Sequence, residues 1–152
     1  GKVGARIMSL QTPENKMSKS DPDPNGCVYM MDKPEDIARK FKRAVTDCDA
    51  CVRYDVKEKP GISNLMQIYS VATGHSFEEI EREFAGRGYG DFKAAVGDAV
   101  IELLRPVREE TERLVKDKAY LETVYRAGAE RAEHTANKTL RKVYKKIGFV
   151  QR

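Results

Sequence analysis

Downstream of Asp32 the apolar residues of this chain recur three and four positions apart, a rhythm that admits little but α-helix. Ile37, Phe41, Ala44 and Val45 fall at i, i+4, i+7 and i+8, with Asp32 placed as N-cap and Pro34 in the first turn, so a helix is predicted to about Val45. Thr46 to Ile62 carries Asp47, Asp49, Pro60 and Gly61 around a short Val52-Arg53-Tyr54 piece and reads as a connection without firm structure. Ser63 restarts helix, with Leu65, Met66, Ile68, Tyr69 and Ala72 as its stripe and Gly74 as a left-handed stop. Ser76 and Glu79 form a capping box for a helix with Phe77, Ile80 and Phe84 inward, which Gly86, Gly88 and Gly90 end. From about Tyr89, the residues Phe92, Val96, Val100, Leu103, Leu104, Val107 and Leu114 mark a long helix that Pro106 is expected to kink. A short segment from Ala119 to Arg126 and a final helix from about Ala129 to Ile147 complete the chain.

One stretch departs from this rhythm. Ala5-Arg6-Ile7-Met8-Ser9-Leu10 reads as a short buried strand, and Gln11 to Gly26, with three prolines, as a long loop. The fold class is therefore mainly α, with a different organisation before Asp32. At 152 residues, 40 % hydrophobic and 34 % charged, the chain is long enough for one core and holds no apolar run that would cross a bilayer. Three cysteines cannot pair evenly and the first residues lack the layout of a secretory signal, so a reduced, cytoplasmic protein is expected. The net charge of +4 is concentrated: from Ala119 to Arg152 eight basic residues face three acidic ones. Such a tail suits a polyanion such as RNA, and equally a solvated helix face.

Lys16-Met17-Ser18-Lys19-Ser20, followed by Asp21-Pro22, is the segment that carries chemistry. Two ammonium groups three residues apart on a loop can close over a triphosphate and neutralise charge as it builds on a pyrophosphate leaving group. Ser18 and Ser20 can donate to phosphate oxygens, and Met17 offers a pliable apolar contact to a flat base. A carboxylate attacking the α-phosphate is already an ionised nucleophile, so no general base is required. The competing reading is an ordinary basic surface loop, but a stated five-residue string arises in a chain this long with a chance on the order of 10^-4.

Lys16 to Ser20 is the second signature of the class I aminoacyl-tRNA synthetases. Gly4-Ala5-Arg6-Ile7-Met8-Ser9-Leu10, Ala44-Val45-Thr46-Asp47, Pro60-Gly61-Ile62-Ser63-Asn64-Leu65 and Gly88-Tyr89-Gly90-Asp91-Phe92-Lys93 follow in the order found in one of their families. The chain resembles, over essentially its whole length, the C-terminal half of the bacterial tryptophanyl-tRNA synthetases. The resemblance implies that residues 1–31 end a Rossmann-like catalytic domain with its last strand and signature loop, and that 32–152 form the helical, anticodon-side tRNA-binding domain. It implies that Ile7 touches the adenine, that Ile7 and Lys16 to Ser20 bind ATP, and that Lys16 and Lys19 act on its phosphates. The complete enzyme would activate L-tryptophan with ATP and Mg2+, transfer it to tRNA(Trp), and work as a homodimer.

The family's first signature, a His-x-Gly-His type string, and its tryptophan pocket are absent here; the only histidines are His75 and His134. The expectation is a C-terminal fragment, inactive alone, lacking the N-terminal Rossmann half. The strand around Ile7 would then have no sheet partners and is expected to be disordered or paired with another chain. Cys48-Asp49-Ala50-Cys51 has metal-ligand spacing, but only Cys27 remains as a third thiol, so no metal site is expected. His75 and His134 read as surface residues, and Gly86 to Gly90 as a turn rather than a phosphate loop. Lys138, Arg141, Lys142, Lys145 and Lys146 share one face of the last helix as candidate tRNA contacts, beside a stripe of Leu140, Val143, Tyr144 and Ile147 expected to pack. Two other readings stay open: a non-catalytic helical tRNA- or RNA-binding module that kept the lysine loop, and a tyrosine-specific relative.

Overall fold

Pro34, with its fixed φ and missing N–H, opens the first helix, and the residues before it serve the preceding loop. In the computed structural model, which describes residues 4–150, five helices follow in order: α1 Pro34–Lys42, α2 Pro60–Thr73, α3 Phe77–Glu83, α4 Tyr89–Lys116 and α5 Lys118–Ile147. The chain divides into two compact units, Gly1–Arg108 and Glu109–Arg152, the division falling within α4. No helix among the described residues is long and apolar enough to cross a membrane.

The mainly helical reading stands, with several corrections at the ends of elements. Lys33, not Asp32, precedes α1, because the Asp32 carboxylate is occupied by the Tyr29 N–H and the Lys40 ammonium. The helix ends at Lys42 rather than Val45: the Val45 N–H leaves the helical pattern to pair with the Leu10 carbonyl at 2.8 Å, and Val45 is exposed. α2 starts at Pro60, three residues early, again with proline in the first turn. The capping box at Ser76 and Glu79 and the left-handed stop at Gly74 (φ 82°) form as expected. Ala119 to Ile147 is one continuous helix, capped by Asp117 at its start, since a glycine such as Gly128 costs a helix about 1 kcal/mol without ending it.

Ile37 and Phe41 of α1, Ile62, Leu65 and Met66 of α2, Ile80 of α3, and Phe92 and Val96 of α4 form the fully buried centre of the first unit. Tyr69, Phe84 and Phe92 meet edge to face, Phe84 and Phe92 with centroids 4.9 Å apart. Burial along α4 fades after Val100: Leu103 and Val107 are exposed. α5 has no fully buried side chain, so most of the stripe expected to pack does not; Leu140, Val143 and Ile147 are exposed, and Tyr144 is half-buried with its ring edge-on to that of Phe149 past the left-handed Gly148.

The stretch from Thr46 to Lys59 is organised by the start of α2. A Cβ on Gly61 would collide with the Val45 carbonyl, so glycine lets the helix sit on that backbone. The Ser63 hydroxyl accepts the Asp55 N–H at 2.9 Å, and the Lys59 ammonium, almost fully buried, bonds Asp49 at 2.5 Å, Asp47 at 3.1 Å and the Tyr89 hydroxyl at 3.1 Å. Tyr89 in turn donates to Asp47 at 2.6 Å. Burial pushes the Tyr89 hydroxyl up to about 12, helped by the Asp47 carboxylate.

The segment read as a partnerless strand is ordered. It makes one bridge, Met8 opposite Lys16, and the Met8 and Leu10 backbone groups pair with residues outside any sheet. The buried Asn64 of α2 accepts the Met8 N–H at 2.9 Å and donates to the Met8 carbonyl at 2.8 Å, so one side-chain amide does what a neighbouring strand would do. Ser9 N–H reaches Asn15, and Leu10 N–H reaches the Gly26 carbonyl. Asn64→Leu strands both half-buried Met8 groups at a cost of about 2–6 kcal/mol, one to three per unpaired group. Denaturant unfolding followed alongside exchange at the Met8 amide checks it; an unchanged Met8 exchange rate refutes the pairing.

Candidate active-site loop and cationic helix

The loop carrying both lysines is built as a closed excursion from the Ile7–Leu10 segment. Met17 N–H donates to the Ile7 carbonyl at 3.0 Å and Ser9 N–H to Asn15 at 2.8 Å, which closes a hairpin that includes Lys16 and Met17, the first two signature residues. On the far side, Asp21 N–H returns to the Ser18 carbonyl at 3.1 Å. The buried Ser9 hydroxyl donates to Asp21 at 3.1 Å and accepts the N–H groups of Gln11 and Thr12, both at 3.3 Å. Gly26 closes the base: a Cβ there would lie 2.7 Å from the Ser9 hydroxyl and strike the Asp21 carboxylate. Asp21 and Asp23 each accept an N–H two residues on, at 3.0 and 2.8 Å, turns that the short Asp side chain makes cheaply.

Within this frame the predicted residues divide by exposure. Lys16, Ser18, Lys19 and Ser20 are exposed, while Ile7 and Met17 are half-buried and line the same apolar groove of about 220 Å3, with Val28, Met30, Phe41 and Leu104 among its other walls. Neither Lys16 nor Lys19 has a carboxylate partner among the described residues. The Ser18 hydroxyl accepts the Ser20 N–H at 3.2 Å and keeps its own proton to donate. The arrangement presents two free cations and two hydroxyls beside an apolar slot, the donor set that a polyphosphate attached to a flat base requires.

Ser9, Asp21, Gly26 and Asn64 hold this loop and were not singled out from the sequence as functional. The Asp-Pro-Asp-Pro run from Asp21 to Pro24 is a readable turn signal; the Ser9–Asp21 and Asn64–Met8 bonds are not readable, because those partners are 12 and 56 residues apart in sequence. Cys48 and Cys51 are both exposed and Cys27 is buried, and no group of three or more His, Cys, Asp or Glu side chains among the described residues is placed to hold a metal. His75 is exposed against Glu83, with its Nδ1 3.3 Å from the carboxylate, and His134 is exposed on α5.

Lys138, Arg141, Lys142, Lys145 and Lys146 lie on α5 as expected from the sequence, all exposed and none in an ion pair among the described residues. Positions i, i+3, i+4, i+7 and i+8 align them along about 12 Å of one helix face.

Residues 3–105 match the model of the class I tRNA synthetases (W and Y). The tryptophan–tRNA ligase of Clostridium tetani is 52 % identical over 150 residues, 99 % of this chain and 44 % of that protein. Among solved structures, tryptophanyl-tRNA synthetase from Mycoplasma pneumoniae aligns with a TM-score of 0.73 at 28 % identity, over 99 % of this chain and 45 % of the other. Tyrosyl-tRNA synthetase from Aeropyrum pernix aligns with a TM-score of 0.50 at 30 % identity over 68 % of this chain and 32 % of its own. The chain thus spans under half the length of the relatives it matches. The chain belongs to the class I tRNA synthetases of the W and Y group.

Proposed function

We propose that this chain supplies the phosphate-closing loop and the tRNA-facing helices of a tryptophan–tRNA ligase. In that reaction the tryptophan carboxylate attacks the α-phosphate of Mg-ATP, the bond to the β-phosphate breaks, and tryptophanyl-adenylate and pyrophosphate form; the aminoacyl group then passes to tRNA(Trp). The observation that carries the reading is the pair of unpartnered ammonium groups of Lys16 and Lys19 on a loop whose backbone is pinned beside the groove lined by Ile7 and Met17. Lys16 and Lys19 meet the negative charge that accumulates on the departing pyrophosphate, and Ser18 and Ser20 donate to phosphate oxygens. Ile7 and Met17 cover the adenine. Residues 1–31 belong on this reading to the catalytic domain and 32–152 to the anticodon-side domain of a cytoplasmic homodimer. The high identity to a tryptophan–tRNA ligase supports tryptophan over tyrosine. The deciding experiment is exchange of labelled pyrophosphate into ATP by the ligase that contains this chain, with tryptophan and with tyrosine in parallel. Exchange with tyrosine alone transfers the reading to the tyrosine enzyme, and exchange with neither leaves an RNA-binding module.

The cationic face of α5 is placed on the same reading against the tRNA backbone. Each phosphate contact adds to the slope of log affinity against log salt. With Lys142→Ala and Lys145→Ala together, tRNA affinity is expected to fall and the slope to shrink by about 1 to 2. Filter binding between 50 and 200 mM salt reads this, and an unchanged slope removes both residues from the interface.

A further inference from the structure

A buried ammonium that the proposed phosphate chemistry does not use lies beside the loop. Lys40 of α1 is 5 % exposed, donates to the Asp32 carboxylate at 2.6 Å and to the Cys27 carbonyl at 2.8 Å, and lies 4.8 Å from the ring centroid of Tyr29. The same Asp32 oxygen accepts the Tyr29 N–H at 2.9 Å, and the Asp32 N–H returns to the Tyr29 carbonyl at 3.1 Å. Tyr29 is therefore held at its backbone by the carboxylate and along its ring by the cation. Its hydroxyl then donates to the Lys19 carbonyl at 3.2 Å. These contacts form a continuous path from a helix of the core to the backbone of the second signature lysine, whose side chain stays free.

We propose that Tyr29, set by the Lys40–Asp32 pair, is a positioning residue for Lys19: it fixes the backbone from which the ammonium reaches the phosphates. The proposal rests on the phosphate-closing role assigned to Lys19. A merely structural tie would stabilise the loop without regard to whether the ammonium is present. A positioning tie acts only through that ammonium, so its effect on rate vanishes once the ammonium is removed.

The bond is long for a hydroxyl donor and exposed, so its effect is that of one modest neutral hydrogen bond. In the ligase containing this chain, Tyr29→Phe is expected to lower kcat for tryptophan-dependent pyrophosphate exchange about five-fold. KM for tryptophan and the thermal midpoint stay unchanged. On a Lys19→Ala background the same substitution is expected to cost nothing further. A five-fold loss that persists without the lysine, or a Tyr29→Phe enzyme as fast as the parent, overturns the positioning role and leaves the ligase reading intact. A parent enzyme that exchanges with neither amino acid overturns both.

Discussion

Lys19→Ala in the ligase that contains this chain is expected to lower kcat for tryptophan-dependent pyrophosphate exchange by about 10^2 to 10^3, and Lys16→Ala by a similar factor. The magnitude is that of removing one preorganised donor from a site where charge develops in the transition state. Both ammonium groups are exposed and without a carboxylate partner among the described residues, so their charge is available to phosphate and their removal leaves no buried group unpaired. Stability should therefore be untouched, which separates this loss from one caused by unfolding. KM for tryptophan should also hold, since the groove and loop described here touch the nucleotide on the proposed reading. Steady-state exchange with and without saturating ATP, together with a thermal melt of each variant, provides the check. A loss below ten-fold for both variants removes the loop from the chemistry.

The second large effect concerns stability. Lys59→Met is expected to destabilise the protein by about 3 kcal/mol, because it deletes the cation shared by Asp47, Asp49 and Tyr89. One oxygen of Asp47, Oδ2, is already buried without a hydrogen-bond partner, so that carboxylate has no alternative. Asp49 is mostly exposed and returns to water, which keeps the figure at the low end for breaking a buried pair. The same cluster gives stability a defined pH dependence. Burial would raise the Asp47 carboxyl, but hydrogen bonds from Tyr89, the Asp49 N–H and Lys59 outweigh it and hold the carboxyl below its ordinary value of 3.8. A carboxyl that binds its proton less readily when folded contributes fully above about pH 4 and loses that contribution as the pH falls further. For Lys59, burial favours the neutral form, yet its bonds to Asp49, Tyr89 and Asp47 raise it above the ordinary 10.5, so its contribution holds below that pH and fades above it. Chemical denaturation of the parent and of Lys59→Met at pH 7 and pH 3 measures both; an equal acid sensitivity in the two proteins contradicts the assignment.

Helices α2 and α3 were legible because their signals are local. A hydrophobic stripe, a capping box at Ser76 and Glu79 and a left-handed Gly74 each act within a few residues, where sequence distance and spatial distance coincide. The loop from Lys16 to Ser20 was legible because its chemistry needs a specific string of side chains. The end of α1, the order in Thr46–Lys59 and the order in Ile7–Leu10 were not. Each is decided by a bond across a long loop: Val45 to Leu10, Lys59 to Asp47 and Tyr89, Met8 to Asn64. The packing expected for α5 failed for the complementary reason, since an amphipathic pattern specifies a face but not a partner to cover it.

The sequence by itself determined the helical class, most of the core and the identity of the two lysines, because periodicity and motif are properties of neighbouring residues. Only the tertiary structure decided that the Asn64 side chain pairs both Met8 backbone groups, that Ser9, Asp21 and Gly26 lock the base of the loop, and that Tyr29 reaches Lys19 from a buried Lys40–Asp32 pair. Buried backbone and charged groups must find partners wherever the fold brings them, and those partners carry no fixed spacing along the chain.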